Sequence, residues 1–85
     1  MQPIVLVGHK HDCPRHGEGK VISGNPDSLV DGRAVACVGD KTCCGATIKT
    51  GSQTHMIEGR SVARLGDKTS HGGSLIEGNE GWLVD

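Results

Sequence analysis

Residues 39–58 read GDKTCCGATIKTGSQTHMIE, and residues 66–85 read GDKTSHGGSLIEGNEGWLVD. The two stretches align without a gap at a shift of 27 residues. The same shift places Gly24 on Gly51, so that GNPDSLVDGRAVACVGD lies over GSQTHMIEGRSVARLGD. Self-similarity at a fixed period indicates that one structural unit recurs along the chain. Three units follow, anchored at Gly8, Gly39 and Gly66.

The first unit differs from the other two in its anchor and in its length. Its anchor reads GH, with His9 where the other units carry Asp40 and Asp67. We expect those aspartates to accept backbone hydrogen bonds in a turn, and His9 to do the same through a ring nitrogen. Four extra residues follow Cys13, and the natural insertion is PRHG, which contains His16.

The last unit lacks a segment that the start of the chain supplies. It stops at Asp85, where the other units continue into GRAVACV or GRSVARL. PIVLV precedes Gly8 just as AVACV precedes Gly39 and SVARL precedes Gly66. The pattern predicts a closed ring of three equivalent units with adjacent termini, rather than an open solenoid.

Short strand-like runs separated by Gly, Asn, Asp and Ser make up each unit, and no stretch keeps a helical apolar period for ~10 residues. We therefore expect a single all-β domain spanning residues 1–85, with approximate threefold symmetry. Its core must be thin, because the chain contains no Phe, no Tyr, one Trp and 14 Gly. A metal, disulfides or a partner usually supports so small a domain.

Charge and cysteine usage restrict the partners and the compartment. The formal net charge is -1, with Lys and Arg scattered along the chain, which argues against nucleic acid and anionic membrane as partners. The PIVLV run is far too short to span a bilayer and lacks the flanks of a signal peptide. We expect folding in the cytosol, where the 4 Cys are thiols or metal ligands rather than disulfides.

The repeat register places metal-binding residue types at equivalent positions. Counting four residues on from the second residue of each anchor gives Cys13, Cys44 and His71. Equivalent positions in a threefold object converge on its axis, so these side chains are candidate zinc ligands. His16 is the simplest fourth ligand, although His11 competes for the same vertex. Two thiolates and two imidazoles form a closed tetrahedral set typical of structural zinc.

The remaining cysteines and histidine are weaker candidates. A cysteine in a small domain is often simply a buried hydrophobic side chain. Cys43 would point away from Cys44 in an extended segment, so we expect it to pack rather than to bind metal. Cys37 aligns with Arg64, which indicates an exposed or tolerant position, and His55 is expected at the surface.

The sequence GRAVACVGDKTCCGATIKTGS followed by GRSVARLGDKTSHGGSLIEGN closely resembles the PAAR-repeat family, named for the Pro-Ala-Ala-Arg that ends each unit. The GD anchors, the HGG and CGA triplets and the CPRHG segment occur together, and the likeness covers essentially the whole chain. Two features depart from the family. AVAC and SVAR lack the proline, and two cysteines with two histidines replace the common three histidines and one cysteine.

The resemblance implies a small cone-shaped β-fold with one structural zinc near its apex, capping the trimeric valine-glycine-repeat spike of a bacterial type VI secretion system. It also implies a chain that is monomeric alone, leaves the cell with the spike without a signal peptide, punctures the target membrane mechanically and helps to deliver effector proteins. One threefold chain can dock coaxially on a trimer. Trp82 is either an anchor at that interface or a core residue.

Two other functions are compatible with parts of the sequence. An enzyme would need CPRH to act as a nucleophile with its base, or CC as a redox pair, but the chain has no CxxC and no predicted helix. We therefore expect no catalytic residue. A small zinc-binding adaptor for nucleic acid or protein is the alternative to the spike tip, although it would favour a basic or aromatic surface.

Overall fold

The first and last strands of the chain pair with each other. In the computed structural model, which describes residues 2–14 and 17–84, Gln2 lies opposite Val84 and Pro3 opposite Leu83 in an antiparallel sheet. The prediction that the N-terminal segment completes the third unit is therefore confirmed.

Short strands account for all the regular structure in the described residues. They are β1 (Gln2–Ile4), β2 (Lys10–Cys13), β3 (Gly17–Lys20), β4 (Asn25–Val30), β5 (Arg33–Val35), β6 (Met56–Ile57), β7 (Arg60–Ser61), β8 (Ser74–Leu75) and β9 (Asn79–Val84). The pairs β4–β5, β6–β7 and β9–β1 form three equivalent two-stranded sheets, and β2 lies between β3 and β8 in a fourth. The all-β prediction is confirmed, and no helix able to cross a bilayer occurs in these ranges.

Three backbone hydrogen bonds close a ring around the centre of the molecule. Ala36 N–H donates to the carbonyl of Val5 at 2.9 Å, Ala63 N–H to that of Ala36 at 2.9 Å, and Val5 N–H to that of Ala63 at 3.1 Å. These residues occupy the same position in the three units, in the runs PIVLV, AVACV and SVARL. Each unit therefore makes the same contact with the next, and the predicted threefold ring is present.

The anchor turns are also equivalent. The carboxylates of Asp40 and Asp67 accept the backbone N–H three residues earlier, at 2.8 and 2.6 Å. In the first unit, Nδ1 of His9 accepts the N–H of Leu6 at 3.0 Å, as predicted. A glycine in the left-handed region precedes each of these residues: Gly8 (φ 95°), Gly39 (φ 97°) and Gly66 (φ 92°).

Two apolar clusters, each built from equivalent positions of the units, replace an aromatic core. The first cluster consists of Ile4, Leu6, Val35, Cys37, Val62 and Val84. The second cluster consists of Val5, Val21, Ala36, Ile48, Ala63 and Leu75. The chain folds to a radius of gyration of 11.1 Å, close to the ~12 Å expected for this length.

The environment of Cys37 corrects one prediction. Its alignment with Arg64 suggested an exposed or tolerant position, but Cys37 is fully buried in the first cluster. The two side chains differ because Arg64 turns toward the carboxylate of Asp67, with Nη2 3.0 Å from Oδ1. The short thiol of Cys37 has no such partner and fills the core, where burial raises its pKa.

Candidate metal centre

Strand β2 presents two candidate ligands on one face. Side chains alternate along a strand, and in β2 His11 and Cys13 are buried whereas Lys10 and Asp12 are exposed. β3 pairs with one edge of β2, and β8 pairs with the other edge, with Ser74 opposite Asp12. The β8 pairing brings the turn that precedes β8 close to the end of β2.

Four side chains from three separated segments meet at this point. The ligand atoms of His11, Cys13 and Cys44 all lie within 4.8 Å of one another. His11 Nε2 is 3.3 Å from Cys44 Sγ. Nδ1 of His71 is 3.6 Å from the Sγ of Cys13 and 3.6 Å from that of Cys44. We refer to these four residues as the candidate ligand group.

The donor chemistry and spacing fit a tetrahedral metal. Zn²⁺ binds thiolate sulfur at about 2.3 Å and imidazole nitrogen at about 2.0 Å, so two such donors on one tetrahedral ion lie roughly 3.5 Å apart. The three nitrogen–sulfur distances of 3.3, 3.6 and 3.6 Å are close to that value. Tetrahedral sites with two sulfur and two nitrogen donors are typical of zinc.

Hydrogen bonds prepare Cys44 to act as a thiolate ligand. The hydroxyl of Thr42 lies 3.3 Å from Cys44 Sγ and is the largest cause that lowers the pKa of the Cys44 thiol to about 5. Burial opposes this effect, while the side chains of His11 and Cys13 and the backbone of Ala46 lower the pKa further. A thiolate is the form that binds metal, so Cys44 requires little proton release on binding.

The structure brings Cys13, Cys44 and His71 together. His16 lies outside the described residues, and its role as a ligand stays a prediction. His11, which the sequence analysis placed second to His16 as the fourth ligand, lies in this group, with its Nε2 3.3 Å from Sγ of Cys44. The sequence indicates that His11 and Cys13 lie together, because they are two residues apart and alternate residues of a strand such as β2 lie on the same face.

The other candidates lie outside the group. Cys43 is exposed, and its Sγ accepts the backbone N–H of Lys20 at 3.3 Å, so it is not packed in the core as expected. His55 is exposed, as expected. Trp82 is 37% exposed at the surface of β9 rather than in either cluster.

The fold and this site define a small all-β repeat protein with a histidine–cysteine group able to hold a metal ion. The profile of the PAAR motif family matches residues 1–50 and again residues 15–77. The chain therefore belongs to the PAAR motif family, a structural family of the type VI secretion spike. A search of curated proteins gives no match.

Proposed function

We propose that this chain caps the tip of the trimeric valine-glycine-repeat spike of a type VI secretion system. The observation that carries the proposal is the closed ring of hydrogen bonds through Val5, Ala36 and Ala63. A single chain with three equivalent units can offer the same contact to each subunit of a trimer, so that one copy binds along the trimer axis.

An apolar triad repeats around the same axis and supports a docking face. Leu29, Met56 and Leu83 occupy equivalent positions and are 60%, 60% and 40% exposed. The residue that follows each of them packs on the first cluster: Val30, Ile57 and Val84. Because side chains alternate along a strand, the triad points away from that cluster. Exposed apolar side chains are unfavourable in water, and three of them related by threefold symmetry would fit against a partner with the same symmetry.

Two carboxylates at equivalent turns lie next to this triad. Asp31 and Glu58 connect β4 to β5 and β6 to β7, and both have φ of 53°. Asn79 Nδ2 donates to Asp31 at 3.2 Å, and Asn25 Nδ2 donates to Glu58 at 3.2 Å. These contacts hold both acidic groups in place. A spike end with basic side chains around an apolar centre would complement the surface.

The candidate ligand group would hold one structural zinc in this proposal. When bound, the ion would link segments that lie far apart in sequence, since Cys13, Cys44 and His71 belong to different units. Metal binding in structural zinc peptides contributes about 10–16 kcal/mol. Such a link would give the tip rigidity that so small a core does not supply.

The rest of the proposal follows from capping. Residues 1–85 would act as one domain, fold in the cytosol and leave the cell on the spike, to be delivered into the target cell. Effector proteins would travel with the spike by non-covalent contacts. The tip would act on the target membrane mechanically.

Stoichiometry is the direct test. The purified chain is mixed with the trimeric spike protein encoded by the same genome, and the mass of the complex is measured by light scattering after gel filtration. We expect one chain per trimer. Leu29→Asp and Met56→Asp should each weaken binding at least tenfold, whereas Ile22→Asp should not, since Ile22 is 57% exposed but outside the triad. Three chains per trimer, or unchanged binding by both triad variants, would refute the proposal.

A further inference from the structure

We propose that Gly19 is a positioning residue of the metal centre, where the missing side chain leaves the space that the imidazole of His11 occupies. Gly19 lies on β3 directly opposite His11 on β2. It takes no part in the ligand chemistry. This inference concerns the metal centre alone and does not depend on docking to a spike.

The space beside Gly19 is filled by two side chains. A Cβ added at Gly19 would overlap Sγ of Cys43 and would lie 2.7 Å from Cε1 and 3.4 Å from Nδ1 of His11. Cys43 is exposed, so its thiol can rotate away. His11 is fully buried and has no such freedom, so most of the adjustment must come from the imidazole.

The size of the adjustment exceeds what a metal site tolerates. Moving Cε1 of His11 from 2.7 Å to an ordinary contact of 3.4 Å requires a displacement of roughly 0.7 Å. Distances from ligands to a metal hold to within about 0.2 Å. Nε2 belongs to the same rigid ring as Cε1, so the displacement is passed on to the ligand atom that faces Cys44.

The backbone conformation at position 19 does not itself require glycine. Gly19 is not in the left-handed region, unlike its neighbour Gly17 with φ of 77°. Glycine within a strand usually lowers stability relative to alanine. Its presence therefore points to a close approach by other groups, which are the thiol of Cys43 and the buried imidazole of His11.

The equivalent position in the second unit supports this explanation. Ala46 is the counterpart of Gly19, and its carbonyl accepts the N–H of Thr42, the counterpart of His11, at 2.9 Å. Ala46 is fully buried with its Cβ in place. In the second unit this strand geometry thus accepts a methyl group opposite Thr42, whereas in the first unit the imidazole of His11 occupies that space. In the third unit Gly73 faces Thr69, and there the backbone of Asp12 excludes a Cβ.

Cobalt binding tests the proposal. Co²⁺ is titrated into metal-free protein, and affinity and the visible ligand-field spectrum are recorded. We expect Gly19→Ala to bind Co²⁺ at least tenfold more weakly, with an altered spectrum, within the range typical of changes next to a metal ligand. The control is Gly51→Ala, whose Cβ would lie 2.8 Å from the carbonyl of Val62. It should lower Tm and leave the cobalt spectrum unchanged.

A double-mutant cycle with His11 covers the case in which Gly19→Ala does not fold. If Gly19→Ala destabilises the protein by displacing the imidazole of His11, then adding it to His11→Ala should change Tm by less than 2 °C. Wild-type cobalt affinity and spectrum in Gly19→Ala would overturn the proposal. So would an equally large loss of Tm in the His11→Ala background, because the cause would then be the backbone.

Discussion

Nη2 of Arg33 lies 2.8 Å from Nε2 of His9, whose other ring nitrogen accepts the N–H of Leu6. Both neighbours are donors, and a neutral imidazole has only one acceptor nitrogen. Only one of the two contacts can therefore be a normal hydrogen bond. In the second unit, Asp40 has no such conflict, because one carboxylate oxygen accepts a backbone N–H and the other lies 3.5 Å from Arg60 Nη1.

Replacing His9 with the aspartate of the other units should stabilise the protein. A carboxylate can accept from both Leu6 and Arg33, and a hydrogen bond to a charged group contributes about 1.5 kcal/mol or more. We expect His9→Asp to raise Tm by roughly 6–12 °C, measured by calorimetry. The reverse change, Asp40→His, should lower it. A lower Tm for His9→Asp would show that the ring contributes packing that the carboxylate cannot replace.

The same residue should make stability depend on pH. Burial, and then the nearby Arg33, lower the pKa of His9 below its usual 6.5, although Glu77 opposes them. The unfolded chain therefore binds a proton at His9 before the folded chain does. Stability should fall as pH drops from 6.5 toward the lowered pKa, by up to about 1.4 kcal/mol per pH unit. His9→Asn, which does not titrate, should show a shallower slope in denaturant titrations; equal slopes would contradict this assignment.

Removal of metal should destabilise the fold strongly. A chelator is expected to lower Tm by well over 10 °C, because the candidate ligand group joins segments that otherwise share only a thin core. Elemental analysis should find about one zinc per chain. Cys13→Ala, Cys44→Ala and His71→Ala should each lose it.

The fourth ligand can be assigned by comparing two histidines. Nε2 of His11 faces Cys44 Sγ at 3.3 Å, so we expect His11→Ala to lose zinc and His16→Ala to keep it. The opposite result would assign the vertex to His16, as the insertion in the sequence first indicated. Zinc retained in both variants would show that neither ring is essential.

The sequence predicted the features that repeat at equivalent positions of the three units. Matching positions in the three units indicated the closed ring and the approach of Cys13 to Cys44. The choice between His11 and His16 could not be predicted in this way, because His16 lies in the insertion that has no counterpart and the counterparts of His11, Thr42 and Thr69, are not metal-binding residue types. The burial of Cys37 also escaped prediction, since alignment with Arg64 says nothing about the carboxylate that draws the arginine outward.

Glu58 offers a test of whether the turns serve docking or stability. Its φ of 53° costs a non-glycine residue about 1 kcal/mol, whereas Asn adopts this conformation readily before glycine in a two-residue hairpin. Glu58→Asn should therefore raise the free energy of unfolding by up to about 1 kcal/mol, yet weaken binding to the spike trimer, most clearly at low salt.

Glu58→Gln separates the two effects, because it removes the charge without relieving the backbone. It should weaken spike binding to a similar extent and bring no gain in stability. Binding is measured by biolayer interferometry over a range of salt concentrations, and stability by chemical denaturation. If both variants bind as tightly as the wild type at low salt, the carboxylates at these turns are not part of the docking surface, and the strain at Glu58 has another cause.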